Sequence, residues 1–115
     1  GGLPMGSQGK VVALLERRRD ALAAWMMMKR GCRVLFLGQD EEAMRILRRW
    51  DPEPRRASGT LGKAAHVNKA MGVVVGWSLS ELESAAALNV DVPVYHPLIG
   101  MDEEEVERRL KDIEG

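Results

Sequence analysis

Three short apolar runs, none alternating with polar residues, decide the fold class. Val11 to Leu15 is five consecutive apolar residues, and Val34 to Leu37 and Gly72 to Val75 repeat the pattern. A strand with one wet face alternates apolar and polar residues. An unbroken, β-branched run suits a strand covered on both faces, as in a parallel sheet. Parallel strands need crossovers, and the segments between these runs read as helices. Ala21 to Arg30 is rich in alanine and methionine, with Asp20 placed to cap its start and Gly31 to close its end. A second helical stretch runs from Asp40 to Trp50 and is stopped by Pro52 and Pro54. Residues 51–62 read as a loop, and Lys63 to Ala70 as a third helix.

After the third apolar run, Ser78 is expected to cap a helix from Leu79 to Leu88. Val92 to Tyr95 reads as a fourth strand, and Pro93 within it favours an edge position. Asp102 and Glu105 make a capping-box pattern ahead of Val106 to Ile113. Glu104–Arg108, Glu105–Arg109 and Glu107–Lys111 are spaced to pair along that helix. The expected architecture is therefore α/β, a three-layer, Rossmann-like, doubly wound parallel sheet of four to five strands. Residues 1–9, with four glycines and a proline, are expected to form a flexible lead-in to one domain over 10–115. Ligands in such sheets bind at the carboxyl ends of the strands, just after Leu15, Leu37 and Val75.

Net charge is zero but unevenly spread. Residues 1–69 hold 14 Lys or Arg against 7 Asp or Glu, and residues 70–115 hold 3 against 10. A basic half suits phosphates, and it equally suits the acidic half of a second copy. The single cysteine, Cys32, excludes an internal disulfide and a cysteine-based zinc site. His66 and His96 lack metal-ligand spacing. No apolar run reaches the roughly 18 residues of a membrane span, and the start has no basic-then-apolar signal pattern, so a cytoplasmic protein is expected.

Two blocks carry a family resemblance. LPMGSQGKVVALL followed by DALAAWMMMKRGCRV resembles the opening of the ATP-pyrophosphatase (PP-loop) domain of tRNA 4-thiouridine synthetases. VVVGWSLSELESAAALNV with VPVYHPLIGMDEEEVERRL is similar to that family's second block. The resemblance implies an adenine-nucleotide-binding fold (adenine nucleotide alpha hydrolase-like) that adenylates a tRNA uridine with ATP and Mg²⁺ before sulfur replaces the adenylate. It also implies a signature loop, Ser-Gly-Gly-x-Asp-Ser, after the first strand. The matching residues are Glu16, Arg17, Arg18, Arg19, Asp20 and Ala21, and only the aspartate remains. The family's Thr-Gly-Glu/Asp-Ser-Leu-Gly-Gln is replaced by Val75, Gly76, Trp77, Ser78, Leu79, Ser80 and Glu81. The chain is expected to be a stripped core, without the family's N-terminal RNA-binding domain, its rhodanese domain or most of an internal insertion.

Glycines let backbone N–H groups approach pyrophosphate closely, and arginines at those places bring a Cβ and a long side chain instead. Glu16 sets a negative charge where phosphate would lie, and Ala21 removes a hydroxyl. The degenerate nucleotide or anion site thus comprises Glu16, Arg17, Arg18, Arg19, Asp20, Ala21, Gly38, Gly76, Trp77 and Ser78. Asp20 is assigned a capping role rather than magnesium ligation, because a lone carboxylate makes a poor magnesium site. Trp77 is expected to plug the vacated pocket, and no catalytic or metal-binding residue is expected. Gly59, Gly62 and Lys63 hint at a phosphate loop, but that motif needs a glycine at Ala57. Three functions follow. The first is a catalytically inactive binding or assembly module, as a homodimer. The second is an ATP-binding domain for tRNA thiolation or thiamine-linked sulfur transfer. The third is a phosphate- or RNA-binding module that uses the basic half.

Overall fold

The computed structural model of the chain describes residues 9–84 and 90–115. In chain order the elements are β1 (Lys10–Leu14), α1 (Asp20–Lys29), β2 (Arg33–Leu37), α2 (Glu41–Arg48), β3 (Arg55–Arg56), α3 (Leu61–Val67), β4 (Gly72–Val74), α4 (Leu79–Ser84), β5 (Val94–Tyr95) and α5 (Glu103–Glu114). The five strands form one parallel sheet in the order β3-β2-β1-β4-β5. Strand order reverses between β1 and β4, the place where doubly wound sheets open a ligand crevice. The lead-in through residue 8 and the end of the helix expected to reach Leu88 lie outside the described residues.

Successive side chains of a strand point to opposite faces, and the unalternating runs fill both. Val11, Ala13, Leu15, Phe36 and Val74 face α1, α2 and α5, packing with Leu22, Met27, Met44, Leu47, Val106, Leu110 and Ile113. Val12, Leu35, Leu37, Val73 and Val75 face the other way, against Leu61, Ala64 and Ala65 of α3. α1 ends as expected: the N–H groups of Arg30 and Gly31 bond back to Met27 and Met28, and Gly31 adopts φ +88°. Among the described residues, no helix is long and apolar enough to cross a membrane.

The structure corrects the sequence reading in four places. Residues 51–62 are not all loop: Arg55 and Arg56 pair with Leu35 and Phe36 as the edge strand β3. α3 begins at Leu61, because Thr60 caps it through a bond accepted from the Lys63 N–H at 3.3 Å. Its tail ends early as well, since Lys69 has φ +53° and lies beyond the helix. On α5 only Glu105–Arg109 pairs as spaced, at 3.2 Å, whereas Glu107 reaches across to Arg18. Two other expectations hold. Asp102 caps α5 by accepting from the Glu105 N–H at 2.8 Å, and β5 takes the outer edge beside β4.

Candidate functional site

After Leu15 the chain turns through Glu16 to Arg19 into α1. The N–H groups of Asp20, Ala21 and Leu22 bond to the carbonyls of Arg17, Arg18 and Arg19, so a tight 3₁₀-like turn extends the helix toward β1. Asp20 is therefore not the helix cap expected from its place before the apolar stretch. Its carboxylate points backward, and one oxygen, Oδ2, accepts from the N–H of Glu16 at 2.7 Å and of Arg17 at 2.8 Å. This matches the reach-back half of a capping box, in which a third-position acid takes the N–H at the turn's start. Asp20 is 3% exposed. Burial pushes its carboxyl above the ordinary aspartate range, opposed by those two N–H donors and by the charge of Arg17. The other oxygen, Oδ1, has no hydrogen-bond partner.

Arg17, Arg18 and Arg19 all turn to carboxylates of this same chain. Arg17 forks onto Glu81, with Nη1 at 2.8 Å from Oε2 and Nη2 at 3.2 Å from Oε1, and Nη2 also reaches the Gly76 carbonyl at 3.4 Å. Arg18 meets Glu42 of α2 at 2.8 Å, Glu107 of α5 at 3.0 Å, and Glu114 at the end of α5. Its guanidinium is held in the charged form foremost by the bond to Glu107. Arg19, with 11% of its side chain exposed, pairs with Glu103. Three cations thus gather five glutamates from three helices. The charge asymmetry between the two halves of the sequence is met in part inside the molecule.

Across the crevice, Ser78 and Glu81 form a reciprocal cap at the start of α4. The Ser78 N–H donates to Glu81 Oε1 at 3.0 Å, and the Glu81 N–H donates to Ser78 Oγ at 3.4 Å. The Ser78 N–H, with help from Arg17, holds the Glu81 carboxyl below the usual carboxylate range. Gly76 lies against Asp20: a Cβ there would stand 2.5 Å from Oδ1. Gly38, at φ +119°, leaves no space for a Cβ against the Leu15 carbonyl. Ala21 is fully buried in the core and faces no ligand space. Trp77 packs on the Val12, Val73 and Val75 face.

An open cleft of about 650 Å³ lies beside this clasp, at the carboxyl ends of β1, β2 and β3. Leu14, Leu37 and Leu61 line it together with Arg56, and of the expected site residues only Glu16 and Gly38 border it. In the loop between β1 and α1 the N–H groups of Glu16 and Arg17 are taken by Asp20, and the guanidinium groups are taken by glutamates. Among the described residues no group of three or more His, Cys, Asp or Glu is placed to hold a metal ion. Cys32 is buried at the amino end of β2, where burial raises its thiol pKa, and it borders a separate cleft with Lys10 and Arg55. Sequence reasoning missed Glu42, Glu81, Glu103, Glu107 and Glu114 as part of the site. Two signals point to four of them, the Ser-x-x-Glu spacing of 78–81 and glutamates at 103, 107 and 114 on one helical face, and none marks Glu42.

No family model matches the chain. It is similar to a probable tRNA sulfurtransferase of Methanothermobacter thermautotrophicus, with 31% identity covering 98% of this chain and 42% of the relative. A probable tRNA sulfurtransferase of Thermococcus kodakarensis is 30% identical, covering 92% and 41%. The tRNA sulfurtransferase of Thermoplasma volcanium is 27% identical, covering 98% and 34%. Among solved structures, PH1313 from Pyrococcus horikoshii is 25% identical and superposes with a TM-score of 0.63, over 98% of this chain and 44% of that one. The chain thus spans less than half the length of these relatives. The alignments run over 156 to 166 positions although the chain has 115 residues, so the relatives carry residues within the matched region that this chain lacks.

Proposed function

We propose that this chain is a non-catalytic relative of the tRNA sulfurtransferases, and that its signature loop has changed from a phosphate cradle into a structural clasp. It then serves as a binding or assembly module on a nucleotide-binding scaffold. The observation that carries this reading is the pairing of Arg17, Arg18 and Arg19 with five glutamates of the same chain. A bound triphosphate brings about four negative charges. Here it would meet glutamates that outnumber the arginines, and like charges at short range repel. Asp20 adds to this, since its carboxylate organises the loop from within rather than facing outward.

Calorimetric titration with ATP, with and without Mg²⁺, tests the reading. The expected result is no saturable heat up to millimolar nucleotide in either condition. Micromolar binding that requires Mg²⁺ would overturn it and restore an ATP-dependent thiolation or sulfur-transfer enzyme.

One further observation favours a nucleic-acid partner for the same module. Among the described residues Arg45, Arg48 and Arg56 form no ion pair, and they line one cleft between α2 and β3, together with Glu41 and Glu42. Cations without ion-pair partners suit a phosphate backbone, and the tRNA sulfurtransferases among the relatives make tRNA the RNA to try. Binding of tRNA by these side chains is expected to weaken steeply between 50 and 200 mM salt, with a log–log slope of roughly −2 to −3 for about three phosphate contacts. Fluorescence anisotropy gives the slope, and a flat salt dependence rules this reading out. An assembly role alone requires a defined oligomer by light scattering and neither ligand.

A further inference from the structure

We infer that the cleft at the amino end of the sheet binds a small zwitterion, an amino acid that carries a second carboxylate. This cleft lies one strand length, roughly 16 Å, from the clasp, at the opposite end of β1, and its chemistry does not depend on the clasp. Three adjacent strands begin there on cations. Lys10 and Arg33 are register partners at the starts of β1 and β2, and Arg55 opens β3 beside Leu35. Residues two apart on a strand share a face, so the register sets Lys10, Arg33 and Arg55 on one face of the sheet. Neighbouring strands lie about 4.8 Å apart, and like charges set side by side repel.

That repulsion is not relieved within the chain. Among the described residues Lys10, Arg33 and Arg55 form no ion pair. Asp51 and Glu53, on the connection from α2 to β3, border the same cleft and form none either. At the other end of the sheet, Arg17, Arg18 and Arg19 all close on glutamates. Here charges of both signs face one open cleft without closing on each other. The cleft holds about 350 Å³, at the small end of the roughly 300–1,000 Å³ of ligand pockets, and Met28 and Leu35 add apolar lining for a short carbon chain. Charge sets the ligand class. Guanidinium and ammonium groups take carboxylates, and Asp51 and Glu53 take an ammonium. A phosphate brings no cation and would leave those two acids facing its charge. Two carboxylates and one ammonium complement three cations and two acids, and both groups of charges are then satisfied by one molecule.

The probe is L-glutamate, titrated into the full chain and followed by NMR through the backbone amides. Saturable shifts are expected at Lys10, Arg33, Asp51 and Arg55, with none at Glu16 to Arg19. Glutarate carries the same two carboxylates without the ammonium. It is expected to bind about fivefold more weakly, from the loss of exposed ion pairs to Asp51 and Glu53. This comparison uses the parent chain alone and stands whether or not a variant folds. Arg33→Gln is expected to weaken L-glutamate by about the same factor. The double variant Asp51→Asn, Glu53→Gln is expected to lose the preference for L-glutamate over glutarate. No saturable shift into the tens of millimolar, equal affinity for glutarate, or unchanged binding in Arg33→Gln each overturns the site. So does a preference that survives in the double variant, or inorganic phosphate moving the same amides at lower concentration than L-glutamate.

Discussion

Replacing Gly38 by alanine is expected to destabilise the fold by about 3 kcal/mol or more, a loss on the order of 10 °C in melting temperature for a domain of this size. Two causes act together. Gly38 has φ +119°, a backbone region that side-chain-bearing residues adopt at a cost of about 1–3 kcal/mol. The added methyl would also overlap the Leu15 carbonyl, with the carbonyl carbon only 2.8 Å away. That neighbour is backbone, fixed by the Leu15 N–H donating to the Leu37 carbonyl at 2.7 Å, so relief requires parting the ends of β1 and β2. These strand ends set the loop that carries the arginines, and the clasp should loosen with them. Gly100→Ala is the matched control: nothing lies within 4 Å of its added methyl, and a change within about 0.5 kcal/mol is expected. Thermal unfolding followed by circular dichroism compares the two, and equal melting temperatures would show that the close approach at Gly38 is not what requires glycine.

The contrast between Gly38 and the loop it supports shows what the sequence makes legible. The strands covered on both faces announce themselves, since only a two-sided core demands runs such as Val11 to Leu15. The strand expected over Val92 to Tyr95 is shorter, Val94–Tyr95, and Pro93 stands just before it rather than within it, but the strand does lie at the sheet edge. β3 could not be found this way. Arg55 and Arg56 are both exposed, and their place in the sheet rests on backbone pairing with β2, which leaves no trace in the apolar pattern. Asp20 was legible as a helix-start residue but not in its direction. Whether an acid there caps forward or reaches back depends on the turn at Arg17 to Arg19, which no periodicity reports. The clasp was the least legible part. Arg18 and Arg19 find Glu107 and Glu103 more than eighty positions later in the chain, and only the fold brings such residues together. The charge asymmetry of the two halves is visible in the sequence and suits phosphates or a second copy equally. Folding the halves onto each other supplies part of the opposite charge.

Changing Asp20 to alanine is expected to cost about 3 kcal/mol, because it strands the Glu16 and Arg17 N–H groups that each donate to a charged oxygen. Asp20→Asn separates hydrogen bonding from charge. An amide oxygen still accepts from both N–H groups, so its loss should be smaller, and its dependence on pH is informative. Burial raises the folded-state pKa of Asp20, so between the unfolded and folded values the native chain holds a proton that the unfolded chain has released. Stability from this group therefore increases as pH falls from neutral toward the ordinary aspartate value of about 4. Glu81 acts oppositely. Its folded-state pKa is lowered, so its contribution is present above the ordinary glutamate value and is lost as pH falls through the lowered one. Glu81 titrates in both proteins and cancels from the difference between parent and Asp20→Asn. That difference should shift in favour of the parent as pH falls, and urea midpoints at several pH values measure it. A difference that stays flat, or shifts toward the asparagine variant, would mean the two N–H bonds outweigh burial at Asp20. The carboxylate would then be a fully compensated anchor of the loop.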